Sequence, residues 1–160
     1  MGPAAKLCTA AIIALLLAAA ASGAATTDGA ISMDLAPGAK RVGTAFAATV
    51  KVVDATQVDV HDAYDFSVTV SVTSGLQIVK ATSSFTIPFR CSRGTRSLTC
   101  TGRVIGGDSD ASTHSQAVIF KPSKAGKQKI TVKVAIAGDA NATNDTVTKT
   151  LTVKPKPRKP

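Results

Sequence analysis

Phe66, Val68, Val70 and Val72 alternate strictly with Ser67, Thr69, Ser71 and Thr73 in the middle of the chain. A period of two sends the four apolar side chains to one face of an extended strand and the hydroxyls to the other. β-Branched and aromatic residues suit such a half-buried pleat. A strand with a single apolar face needs a second layer, so the stretch predicts a sandwich. A second alternation of equal quality runs through Gln128–Ile136, where Ile130, Val132, Val134 and Ile136 oppose Lys129, Thr131 and Lys133. The two are expected to pair or to lie close together.

Shorter runs fill in the rest. Ile31–Leu35 is a first strand stopped by Pro37-Gly38, after a small, polar and frayed segment from Ala24 to Gly29. Phe46–Val53 follows, then a polar connection, Asp54–Ala63, with a short edge strand around Val58 and Val60. Ser74-Gly75 is a turn signal before Leu76–Lys80. Ile87–Cys91 and Ser97–Ile105 flank a hairpin centred on Gly94, with Pro88 marking an edge. Ser115–Phe120, ended by Lys121-Pro122, and a closing strand Val147–Val153 complete the set. Seven or more short strands without a helical period predict an all-β fold, an antiparallel immunoglobulin-like β-sandwich of Greek-key type.

Composition sharpens this picture. All ten acidic residues are Asp, a turn and cap residue, and the helix former Glu is absent. Lys6 followed by the Ala/Leu/Ile run Ala10–Ala21 and small residues to Ala25 reads as a cleaved secretory signal. The run falls short of the roughly 20 apolar residues of a membrane span. The expected organisation is a signal over 1–25, one sandwich domain over 26–153 and a basic, proline-rich tail over 154–160, extended as polyproline II. Without the signal, Cys91 and Cys100 remain in an oxidising compartment, and one pair allows one connectivity. Their spacing, with His61 and His114 remote, fits no zinc pattern. The disulfide would close a loop worth about 2.5–3 kcal/mol in the chain-entropy account.

From Phe85 onward the order of features is that of a known class. A strand leads into Cys91, and a short hairpin into Thr99-Cys100-Thr101 and the loop at Gly106-Gly107. A strand ending in Pro122 and the turn Ala125-Gly126 follow, and Gly138-Asp139-Ala140-Asn141-Ala142-Thr143-Asn144-Asp145 precedes a Thr/Val-rich final strand. Over roughly Gln57–Val153 the chain resembles the bacterial "domain of unknown function eleven" family and, more distantly, CARDB cell-adhesion-related modules. The resemblance implies an immunoglobulin-like sandwich in a secreted or surface-attached protein, and it brings no assigned chemistry. Tandem copies, frequent in that family, do not occur in this sequence, nor does a sorting motif or apolar anchor follow Val153.

Chemical constellations are sparse. Gly107-Asp108-Ser109-Asp110 echoes the run around a serine nucleophile, but Asp110 replaces the glycine required after Ser109, and turn chemistry explains the letters. No nucleophile elbow, phosphate loop or dinucleotide fingerprint occurs. Asp108 with Asp110, and Asp139 with Asn141, Asn144 and Asp145, are oxygen-rich enough to suggest calcium. The same residues serve as turn formers, so no metal and no cofactor is assigned. Asn141-Ala142-Thr143 and Asn144-Asp145-Thr146 match the glycosylation sequon.

The formal charge of +9 points to anionic surroundings. Arg90, Arg93, Arg96 and Arg103, together with Lys154, Lys156, Arg158 and Lys159 of the tail, are the candidate polyanion contacts. No Trp and one Tyr leave no stacking platform for bases or sugars, so specific nucleic-acid binding is not expected. The function expected is therefore a secreted, non-catalytic module for cell-envelope binding or adhesion, its partner an anionic envelope polymer or a surface protein. An exported carrier of a small apolar ligand is the alternative, and a secreted hydrolase stands last.

Overall fold

A computed structural model describes residues 28–54, 64–83, 90–104, 113–139 and 141–158. These form ten strands: β1 Gly29–Leu35, β2 Lys40–Arg41, β3 Phe46–Asp54, β4 Tyr64–Val72 and β5 Leu76–Ser83, then β6 Arg90–Arg93, β7 Ser97–Val104, β8 Thr113–Pro122, β9 Gly126–Ile136 and β10 Thr146–Lys154. They build two packed sheets, ordered β1-β3-β8-β5 and β2-β10-β9-β4-β7-β6, in which strands distant in sequence are neighbours in space. The fold is the expected immunoglobulin-like sandwich. The expected leader over 1–25, the expected edge strand near Val58 and Val60, His61 and the expected Asp108–Asp110 loop lie outside the described residues.

The two clean alternations are neighbours at the centre of the larger sheet. β4 pairs antiparallel with β9 in a register that sets Phe66 opposite Ile136, Val68 opposite Val134, Val70 opposite Val132 and Val72 opposite Ile130. Val70, Val132 and Val134 are wholly shut off from solvent. Burying a valine side chain of this kind contributes about 1.5 kcal/mol or more. Across the sandwich, Met33, Val50, Val118 and Phe120 complete the core, and Phe120 stacks on Phe46 with ring centres 5.5 Å apart. Pro122 ends β8, as the sequence suggests. It is the strand's last residue, opposite Leu76.

Cys91 and Cys100 form the expected disulfide between directly opposed positions of β6 and β7. Gly94 N donates to Ser97 O at 2.8 Å and closes the turn. Hydrogen-bonded and open pairs then alternate along the ladder, so Cys91 and Cys100 fall on an open pair, where backbones approach most closely. Their Cα atoms are 4.0 Å apart. Gln116 on β8, 2% exposed, reaches under the bridge and donates through Nε2 to Cys100 Sγ at 3.2 Å.

The short strand β2 has no counterpart in the hydropathy pattern. It pairs in parallel with the end of β10, Lys40 with Val153 and Arg41 with Lys154, and Val42 N donates to Lys154 O. Lys40 Nζ donates to the carbonyls of Ala36, Pro37 and Gly38 in the preceding turn and lies over the Phe46 ring. Lys154, assigned to the tail on sequence grounds, is thus the last residue of the sheet. Residues 155–158 beyond it are exposed and lack regular structure.

The strand termini divide between two ends of the sandwich. At one end are the tight turns at 73–75, 94–96 and 123–125; at the other are the start of β1, the end of β3 and the β9–β10 loop.

Candidate functional site

Alternation decides where the arginines of the disulfide hairpin go. Positions an odd number of residues apart on a strand face opposite ways. Arg90 shares the outward face of the larger sheet with Ser92, whereas Arg93 shares the inward direction of Cys91. Arg93 sits on the edge strand and reaches across to the other sheet, donating from Nη1 to Val79 O at 2.6 Å. That carbonyl is available because the β5–β8 register shifts at Val79, which stands 42% exposed on a bulge. Arg93 is therefore a clasp between the sheets. Arg96 lies in the turn at the far end of the hairpin, its carbonyl accepting from Val72 N.

Arg90 and Arg103 come together. Arg90, Thr101, Ser67 and Ala135 make one cross-strand row, and Arg103 faces Asp65 in the next. These side chains line an open groove of about 610 Å³ on the outer face. Arg103 Nε stands 3.8 Å from Asp65 Oδ1, and both side chains are more than half exposed. A pair of that kind holds Arg103 only weakly. The groove thus offers two guanidinium groups beside hydroxyls, a donor set suited to an extended anion.

The neighbouring rows are hydroxylic. Thr69 and Thr99 Oγ1 are 3.4 Å apart, and Thr131 and Thr148 Oγ1 are 3.1 Å apart. Lys129 and Lys133 interrupt them on β9 with positive charge. The tail is not continuous with this groove. Val153 pairs with Gly126, at the opposite end of β9 from Ala135, a separation of roughly 30 Å along the strands and about 19 Å across them. Lys154, Lys156 and Arg158 therefore form a second basic area at the far corner; Lys159 lies outside the described residues.

The β9–β10 loop is the other polar concentration. Asn141 N donates to Asp139 Oδ1 at 2.9 Å, and Asn141 Oδ1 accepts from Thr143 N and Oγ1. These are the turn bonds expected of Asp and Asn. Asn144 Nδ2 donates to Asp28 Oδ1 at 2.8 Å, and Asn144 O accepts from Ile31 N. The segment taken as a frayed terminus thus ends, at Asp28 and Gly29, in specific contacts. Nothing in the sequence pairs Asp28 with a residue so distant along the chain.

Asp145, 7% exposed, is shut off from solvent yet sits shallowly, with little protein beyond its nearest neighbours. Burial raises its pKa above the ordinary carboxylate value. A hydrogen bond with the Asp139 carboxyl and the charges of Asp139 and Asp28 push the same way, and Lys133 opposes them. His114, on β8, stacks on Phe66 at 6.0 Å within the sandwich.

No protein-family model and no curated protein matches the chain in sequence. Solved structures do share its fold. A cohesin module of a family 33 glycoside hydrolase from Clostridium perfringens aligns at 12% identity over 82% of this chain and 100% of its own, with a TM-score of 0.61. The CARDB domain of a Pyrococcus furiosus protein, solved in complex with di-metal ions, aligns at 14% identity over 81% and 90%, with a TM-score of 0.54. A non-cellulosomal cohesin from Archaeoglobus fulgidus aligns at 12% identity over 78% and 91%, with a TM-score of 0.52.

Proposed function

We propose that the chain is an exported, non-catalytic immunoglobulin-like module that binds an anionic polymer at the cell envelope. The observation that carries this reading is the pairing of Arg90 and Arg103 over Ser67 and Thr101 on a hydroxyl-lined outer face. Charged donors set among hydroxyls suit phosphate or carboxylate groups repeated along a polymer. An open groove rimmed by charge favours such a ligand over the small apolar molecule of a carrier. The leader over 1–25 supports export of a mature domain over 26–153. The likeness to modules named as cohesins and as a CARDB domain supports a binding role, and the cysteine pair and the Asp/Asn loop support kinship with the "domain of unknown function eleven" family. The tail from Lys154 onward serves as a separate electrostatic contact.

Retention on purified bacterial cell walls across a salt series tests this. Exposed charges are screened beyond about 8 Å at physiological ionic strength, so binding should fall steeply as salt rises. Replacing Arg90 and Arg103 together by glutamine should weaken it roughly five- to thirtyfold, two exposed contacts of about 0.5–1 kcal/mol each, without lowering the Tm. Retention that is absent at low salt, or unchanged at high salt, removes the polyanion reading and leaves a surface protein as the partner.

A further inference from the structure

Three side-chain oxygens of the β9–β10 loop, Asp139 Oδ2, Asn144 Oδ1 and Asp145 Oδ1, are shut off from solvent and receive no hydrogen bond from an N–H or a hydroxyl; the Asp139 and Asp145 carboxyls have only each other. A buried acceptor left without a donor costs about 1–3 kcal/mol, and a charged one more. Turn chemistry does not account for them, because the turn bonds use Asp139 Oδ1 and Asn141 Oδ1 instead. The amide of Asn144 is oriented by its Nδ2 bond to Asp28, which leaves the oxygen as its unused end. The backbone around the three is pinned, with Ile31 N bonded to Asn144 O and Val134 N to Asp145 O. A proton shared between Asp139 and Asp145 would satisfy that pair only in the protonated form; the ionised carboxyls, with the Asn144 oxygen close along the chain, call for an electropositive occupant.

We propose that this loop is a calcium site, with Asp139, Asn144 and Asp145 supplying oxygen ligands and Asp28 holding the Asn144 amide in place. Calcium takes six to eight oxygens and accepts carboxylate, amide, carbonyl and water together. Among the described residues no three Asp, Glu, His or Cys side chains converge as a metal centre by themselves. Two carboxylates, an amide and added water suit the flexible all-oxygen geometry of calcium. Magnesium, which requires a near-ideal octahedron, fits such a loop poorly. The ion would tie the start of β1 to the β9–β10 loop and offset the repulsion between Asp139 and Asp145.

Thermal unfolding of the purified protein in EDTA, and then across calcium and magnesium chloride titrations, tests the site. With the millimolar affinity usual for extracellular modules, 10 mM calcium should raise the Tm by about 5 °C, saturably, and magnesium by clearly less. Asp139→Asn and Asp145→Asn should abolish the calcium response. Both should still fold in EDTA, since each removes a like-charge contact. Asp34→Asn, an exposed carboxylate paired with Lys51 on the outer face, should respond as the unmodified protein does. A Tm unmoved by calcium would overturn the proposal. So would a calcium shift that persists in Asp139→Asn, because the ion would then be held by other acidic residues.

Discussion

The sandwich buries polar side chains at both of its ends and treats them differently. At the turn end, Gln128 is 8% exposed. Thr73 Oγ1 donates to its Oε1 at 2.7 Å and accepts from Lys129 N at 3.1 Å. Ser123 N closes the cluster by donating to Gly75 O at 2.8 Å. These bonds tie the 73–75 turn to β9 and to the 123–125 turn, so the polar group works as a staple. At the loop end, Asp145 is as enclosed as Gln128 and Asp139 and Asn144 are half-buried, yet one oxygen of each is shut off from solvent without an N–H or hydroxyl donor. One end is complete in itself and the other lacks a positive counterpart. Buried polar groups are normally satisfied, and the exceptions concentrate where a ligand or an ion completes the structure.

Crowding the turn end should have the largest effect on this contrast. A Cβ at Gly75 would lie 2.2–2.4 Å from the Gln128 amide atoms. A flexible glutamine on the surface would swing aside, but this one is buried and bonded. Gly75→Val should therefore cost about 2–3 kcal/mol, a Tm fall of roughly 10 °C for a domain of this size. If Gly75→Val leaves the Tm within about 2 °C of the unmodified protein, the turn end is no more tightly completed than the loop end, and the comparison fails.

A smaller effect separates the two kinds of burial more finely. Thr73→Val keeps the shape of the side chain and removes its hydroxyl. Gln128 Oε1 then becomes a buried acceptor without a donor, like the oxygens at the other end. The expected cost is about 1–2 kcal/mol in a denaturant titration, with an unchanged m-value. Calcium should not restore it, because a lone amide oxygen does not hold the ion.

How much of this was legible in the sequence follows from the range of the interactions. The strands from β3 to β10 were readable wherever burial imposes a period of two, as in Phe66–Val72 and Ile130–Ile136. The disulfide was readable because only two cysteines lie outside the expected leader. β2 was not, since two residues carry no period and its pairing depends on β10, which arrives more than a hundred positions later. The arginines show why closeness in sequence misleads. Arg90 and Arg93 belong to one short strand, yet the pleat turns one to the groove and the other to Val79. Arg103, further along the chain, is the one that joins Arg90. In the acidic loop the turn reading holds for Asn141, while the enclosure of Asp145 against Asp139, and the reach of Asp28 to Asn144, depend on packing that no local pattern records.

The smallest expected effect is one of pH, and it is confined to the loop end. Gln128 and Thr73 do not titrate, so the staple at the turn end is indifferent to acid. At the loop end the raised pKa of Asp145 means that the folded protein holds this proton more tightly than the unfolded chain does. Where the folded state binds more protons, stability falls as pH rises. The window opens at the ordinary carboxylate value of 3.8 and closes at the raised folded value, above which the full penalty persists. Asp139 and Asp28 press in the same direction, and Lys133 relieves part of it. The comparison to make is therefore between the unmodified protein and Asp145→Asn, both in EDTA, so that titration elsewhere cancels. Below the window the two should melt with nearly their smallest difference. As pH rises to neutrality, Asp145→Asn should gain on the unmodified protein by a degree or two, and a similar series with Thr73→Val should show a constant offset. If Asp145→Asn instead loses ground as the pH rises, the ionised carboxylate already has a donor in the folded protein, and the two ends are complete in the same way.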